Sequence, residues 1–82
     1  MIENTQNLKL TVSFALAGGW AASHNITQDC KEPIAYWLHA VLHNIEGDQG
    51  NSRYWYAKTD GKRFEDYHDA TLELKEMLNK LS

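Results

Sequence analysis

The chain has 82 residues, a single cysteine and a formal net charge of −3. That length makes one domain over residues 1–82, with a thin core. An acidic balance with no basic run longer than Lys62-Arg63 argues against nucleic acid or an anionic membrane as the main partner. Cys30 has no second cysteine to pair with, so an intrachain disulfide is excluded, and it reads as an inert thiol. No stretch approaches the roughly 18 apolar residues of a membrane span, and MIENTQ lacks the basic and apolar parts of a signal peptide. The expectation is a soluble, cytoplasmic protein.

Residues 1–6 are polar and read as a frayed end. Residues 8–17 are ambiguous. Leu8, Leu10, Val12, Phe14 and Leu16 alternate as in a strand, while Leu8, Val12, Ala15 and Leu16 also fit a helix face. The alanines, the Gly18-Gly19 pair and the lack of a partner strand favour a helix. A short second helix is expected over Trp20–Gln28, with Trp20, Ala22 and Ile26 inward.

A third helix enters at Pro33, whose missing N–H is no loss in a first turn, and runs to about Glu46. Ile34, Trp37, Leu38, Val41, Leu42 and Ile45 form its apolar stripe. Tyr36, His39, His43 and Glu46 fall on the opposite side. Gly47 followed directly by Asp48 combines a helix-ending glycine with a helix-starting carboxylate, which predicts a tight antiparallel hairpin. The fourth helix is expected from Asp48 to about Thr59, with Ser52, Trp55, Tyr56 and Thr59 on one face. After a turn at Asp60-Gly61, a last amphipathic helix over Phe64–Leu81 closes the bundle. His68 on that helix reads as a solvated residue.

Sliding the chain by 29 positions places Gly18 on Gly47, Ser23 on Ser52, Val12 on Val41 and Leu16 on Ile45. The implied architecture is all-α, with about five helices: two stacked helical hairpins plus the closing helix. Tyr36, Ala40, Gly47, Ser52 and Tyr56 follow a tetratricopeptide-like pattern. GGWAASH from Gly18 and HAVLHNIEGDQGNSRYWYAKT from His39 resemble a family of uncharacterised bacterial proteins. These carry GDW-x-x-A-H followed by H-A-x-x-H-R-x-E-G-D-x-x-N-A-x-Y-W-Y-R-R-A. Asn44, Ala57 and Lys58 stand where that pattern has arginines. The resemblance implies a helical fold and marks a site, and it names no reaction.

His39 and His43 are four residues apart, and Glu46 is one turn further on, so the three share one helix face. With His24 as a fourth group, they are a feasible ligand set for a divalent metal. The glutamate does not lie between the histidines, so this is not the metalloprotease signature. A plainer reading makes His39 and His43 buried polar groups bonded to Ser52, Tyr56 or Asn51. A third reading is a recognition surface. Tyr54, Trp55 and Tyr56 are consecutive and point about 100° apart on a helix, so one of them, Tyr54, must face outward.

The primary expectation is a small binding module for a protein or a small polar ligand. Its site residues are His39, His43, Glu46, Asp48, Asn51, Tyr54 and Trp55, and aromatics left over from the thin core are candidates for a homodimer contact. The alternative is a divalent-metal protein, even a metal-dependent hydrolase, using His39, His43, Glu46 and His24.

Overall fold

Among the residues the structure describes, five α-helices and one 3-10 turn are found: α1 (Ile2–Leu16), α2 (Trp20–Thr27), α3 (Pro33–Ile45), α4 (Gln49–Ala57), the turn at Phe64–Asp66, and α5 (Ala70–Leu81). The computed structural model describes residues 2–59, 61–67 and 69–81, with the backbone alone for residues 2–6. His68 and Asp60 lie outside the described residues. Among those described there is no strand, and no helix is long and apolar enough to cross a membrane.

The ambiguity at residues 8–17 is resolved as helix, starting at Ile2. Leu8, Thr11 and Val12 are buried while Leu10 is 49% exposed, a spacing of three and four rather than two. α1 and α2 form one hairpin, and α3 and α4 the other. α5 packs on α1 and α3.

Both hairpins turn by the same device. Gly18 and Gly47 have φ of 87° and 86°, a region that glycine enters without a Cβ clash. The N–H groups of Gly18 and Gly19 return to the carbonyls of Ala15 (3.1 Å) and Phe14 (2.7 Å); those of Gly47 and Asp48 return to Asn44 (3.1 Å) and His43 (2.9 Å). This is the Schellman helix ending, repeated 29 residues on. The repeat extends into the seams between helices. Ser23 Oγ donates to the Thr11 carbonyl (2.8 Å), and Ser52 Oγ to the Ala40 carbonyl (2.7 Å).

Three expectations are corrected. The inner face of α2 is Ser23 and Thr27, not Ala22, which is exposed. Small hydroxyls win because they bond across the seam: Thr11 Oγ1 donates to the Ser23 carbonyl at 2.8 Å and lies 3.4 Å from Thr27 Oγ1, which itself donates within α2 to the Ser23 carbonyl at 2.7 Å. Ile45 ends the α3 stripe 45% exposed, because the chain turns away one residue later. The last helix begins at Ala70, not Phe64. Asp69 Oδ1 accepts the N–H groups of Thr71 (2.9 Å) and Leu72 (3.2 Å) and so caps a new start.

α3 is the axis of the molecule. Residues 37–42 are all buried, and Val12, Trp37, Leu38, Val41, Leu42, Tyr56, Leu74 and Met77 form the core around it. A polar residue between positions 37 and 42, such as His39, is therefore enclosed by neighbouring helices.

Candidate functional site

The two hairpins meet where α2 crosses α3. His24, in the last turn of α2, faces His39 and His43 on α3. His24 Nε2 lies 3.1 Å from His39 Nε2. His39 and His43, one turn apart, stack with ring centroids 4.9 Å apart. One nitrogen from each of the three rings falls within 4.8 Å of the other two. For a tetrahedral ion with bonds of about 2.0–2.1 Å, ligand nitrogens sit roughly 3.3–3.4 Å apart, so the His24–His39 spacing is close to that of a ligand pair.

The rings are held from outside by indoles. Trp55 of α4 lies flat on His39, with centroids 3.9 Å apart and planes 10° from parallel. Trp20 stacks on His24 at 4.7 Å, and its Nε1–H donates to the Leu42 carbonyl at 2.6 Å. His43 Nδ1 pairs with Glu46 Oε1 at 2.8 Å. With Nδ1–H donated to that carboxylate, the lone pair of His43 resides on Nε2. Carboxylates behind histidine ligands act in this way in metal sites.

Removal from water, then the proximity of His24 and His43, pushes the His39 imidazolium down to about 4. His24 is lowered by burial and by His43, against an opposing pull from Glu46. Both groups are thereby biased toward neutral imidazole, the form with a lone pair to give.

Of the residues expected in the site, His24, His39, His43, Glu46 and Trp55 are brought together. Glu46 forms a second set with His43 and Asp48, whose ligand atoms also lie within 4.8 Å of one another. Asp48 is the N-cap of α4: Oδ1 accepts Asn51 N–H at 3.2 Å, and Oδ2 accepts Asn51 Nδ2 at 2.6 Å. Those bonds hold the Asp48 carboxyl below its ordinary range. Tyr54 is 55% exposed and meets Trp55 edge-on at 5.4 Å.

His39 and His43 do not bond to Ser52, Tyr56 or Asn51, as the plainer reading expected. Ser52 is committed to the Ala40 carbonyl, Asn51 to Asp48 and Tyr56 to Glu73. Two roles escaped the sequence reading: that of Trp20, expected only to face inward, and that of Glu73. Trp20 is one turn before His24 on α2, the spacing at which rings stack. Glu73 occupies an inward position in the row Ala70, Glu73, Leu74, Met77, yet is an ionisable side chain and is 2% exposed. Its Oε2 accepts from Trp37 Nε1 at 2.6 Å and from the Tyr56 hydroxyl at 2.5 Å.

Compared with known proteins, the chain matches no family model, no curated protein and no solved structure.

Proposed function

We propose that this protein is a small helical metal-binding module holding one divalent transition-metal ion through His24, His39 and His43. The observation that carries the reading is the meeting of three ring nitrogens from two different hairpins within 4.8 Å. Three imidazoles suit zinc, copper, nickel or iron, and a three-histidine set leaves a coordination position for water or a small polar ligand. Glu46 orients His43, while Trp20 and Trp55 keep the ligand rings in register. A ligand on the open position would meet the aromatic surface that continues from Trp55 to Tyr54, so recognition and metal binding share one site. The free Cys30 thiol suits a reducing, cytoplasmic setting, and the 29-residue hairpin repeat supports kinship with tetratricopeptide-like arrays.

The test is elemental analysis of untagged protein purified without chelator, beside His24→Ala and His43→Ala, followed by zinc and cobalt titration. About one equivalent in the wild type, with loss in folded variants, is the expected result. Wild-type protein that neither carries a metal nor takes up cobalt with a tetrahedral visible spectrum overturns the reading.

A further inference from the structure

The start of α3, the loop after α4 and the last turn of α5 border a cavity of about 160 Å³. Pro33, Ile34 and Trp37 give it an apolar wall, and Thr59, Lys62 and Lys80 complete it. These walls are fixed from behind. Trp37 is 2% exposed, and its Nε1–H is held by Glu73 at 2.6 Å. Thr59 Oγ1 donates to the Tyr56 carbonyl at 2.7 Å and accepts the Lys62 N–H at 3.0 Å, which ties the loop that carries Lys62 to the end of α4. The Lys62 ammonium lies over the Trp37 ring, 4.4 Å from its centroid. None of the lining residues belongs to the histidine cluster.

On a chain of net charge −3, two lysines thus share one small apolar cavity. Lys62 makes a loose pair with Glu76 at 3.9 Å, and Lys80 makes no ion pair among the described residues. Two ammonium groups (+2) against one carboxylate (−1) leave a balance of +1. Glu32 precedes the cavity in the chain but does not line it. The positive end of the α3 dipole acts in the same direction as the lysines.

Hydrocarbon wall and positive charge together select a ligand that has an apolar body and an anionic group. A cation is repelled. A bare inorganic anion gains only a screened attraction and leaves the hydrocarbon wet. A dianion exceeds the balance of charge. A water takes about 30 Å³ of liquid, so the cavity has room for roughly five, near the size of one six-membered ring with a carboxylate.

We propose that this cavity binds a small monocarboxylate with one apolar ring, the ring against Pro33, Ile34 and Trp37 and the carboxylate bridging Lys62 and Lys80. The flexible stem of Lys62 lets its ammonium turn from Glu76 to the ligand without moving the tied loop.

Benzoate is the probe, titrated into isotope-labelled whole chain freed of metal by chelation and dialysis, so that binding through a histidine-held ion is out of reach. Amide shifts in two-dimensional NMR should follow one saturable isotherm and centre on Ile34, Trp37, Thr59, Lys62 and Lys80. Benzamide, the ring without the charge, should bind about tenfold more weakly, and inorganic phosphate, charge without a ring, should not displace benzoate at equal concentration. Lys80 is exposed, so its variants leave the core untouched. Lys80→Gln should weaken benzoate by about threefold to tenfold, and Lys80→Glu by about tenfold or more. Four results each overturn the proposal: no saturable shifts in the wild type, shifts scattered over lysines elsewhere (an adventitious ion only), equal binding of benzamide, or undiminished affinity in Lys80→Glu.

Discussion

Trp55 and His39 lie face to face, 3.9 Å between centroids and 10° from parallel, although they come from different helices of the second hairpin. The indole covers the imidazole face on the α4 side, while His24 Nε2 meets its edge. The stack leaves His39 little freedom to turn, and it excludes water from the ring. Replacing Trp55 with Ala should therefore cost stability of about 2–4 kcal/mol and loosen the site as well. Urea denaturation reads the first effect and zinc titration the second. Trp55→Phe should recover most of both.

Glu46 is exposed and bonds to the cluster through His43, while its charge also acts on His24. Glu46→Gln should leave the melting temperature near wild type. It should lower metal affinity by about 10–100-fold, the usual scale for losing a carboxylate behind a histidine ligand. A competition titration against a chromogenic chelator measures this. An unchanged affinity would show that Glu46 does not orient His43.

Stability should fall with acid between pH 6.5 and about 4. His39 titrates near 4 in the folded state, below its ordinary 6.5. Above pH 6.5 the ring is neutral in both folded and unfolded chains, and pH has no leverage through it. Between the two values the unfolded chain takes up a proton that the folded one refuses, and below about 4 the loss is complete. His24 is lowered too and acts with the same sign. The total for His39 is on the order of 1–3 kcal/mol. Urea midpoints of metal-free protein from pH 7.5 to 4 should show it, and His39→Phe should flatten most of the slope.

Glu73 separates charge from hydrogen bonding. Glu73→Gln keeps an acceptor for Trp37 Nε1–H and the Tyr56 hydroxyl, and should stay within about 1 kcal/mol of wild type. Glu73→Ala strands two buried donors and opens a void, and should cost about 3–5 kcal/mol. Chemical denaturation of the pair distinguishes a core held by that acceptor from one held by packing alone.

The matched serines allow an internal control. Ser23→Ala and Ser52→Ala each delete one hydroxyl bond to the carbonyl twelve residues earlier. Each should cost about 1 kcal/mol, since the carbonyl is a helix acceptor and is not wholly stranded. The seams are separate, so the double variant should show nearly additive loss. A clearly larger effect at Ser23 would reflect the second bond of its hydroxyl, which Thr11 Oγ1 donates to Ser23 Oγ at 3.1 Å.

Local rules decided much of this protein before any packing is considered. The glycine turns, Asp48 as cap, Pro33 as helix entry and the stripe on α3 are short-range properties of backbone conformation and apolar spacing. They gave the helical class, the second hairpin and the face on which His39, His43 and Glu46 lie. Even the 29-residue register needed only the positions of two glycines and two serines. Tertiary structure alone decided which side chains meet. That Ser23 and Thr27, not Ala22, turn inward depends on Thr11, a dozen residues away. The break between Phe64 and Ala70 interrupts an apolar period that runs through both segments, because the cap at Asp69 outcompetes continuation. The passage of His24 to the face of His39, and of Trp20 and Trp55 to either side, requires the crossing of two hairpins. The sequence could nominate each histidine of the cluster by type, but distance between helices is not written in the spacing along any one of them.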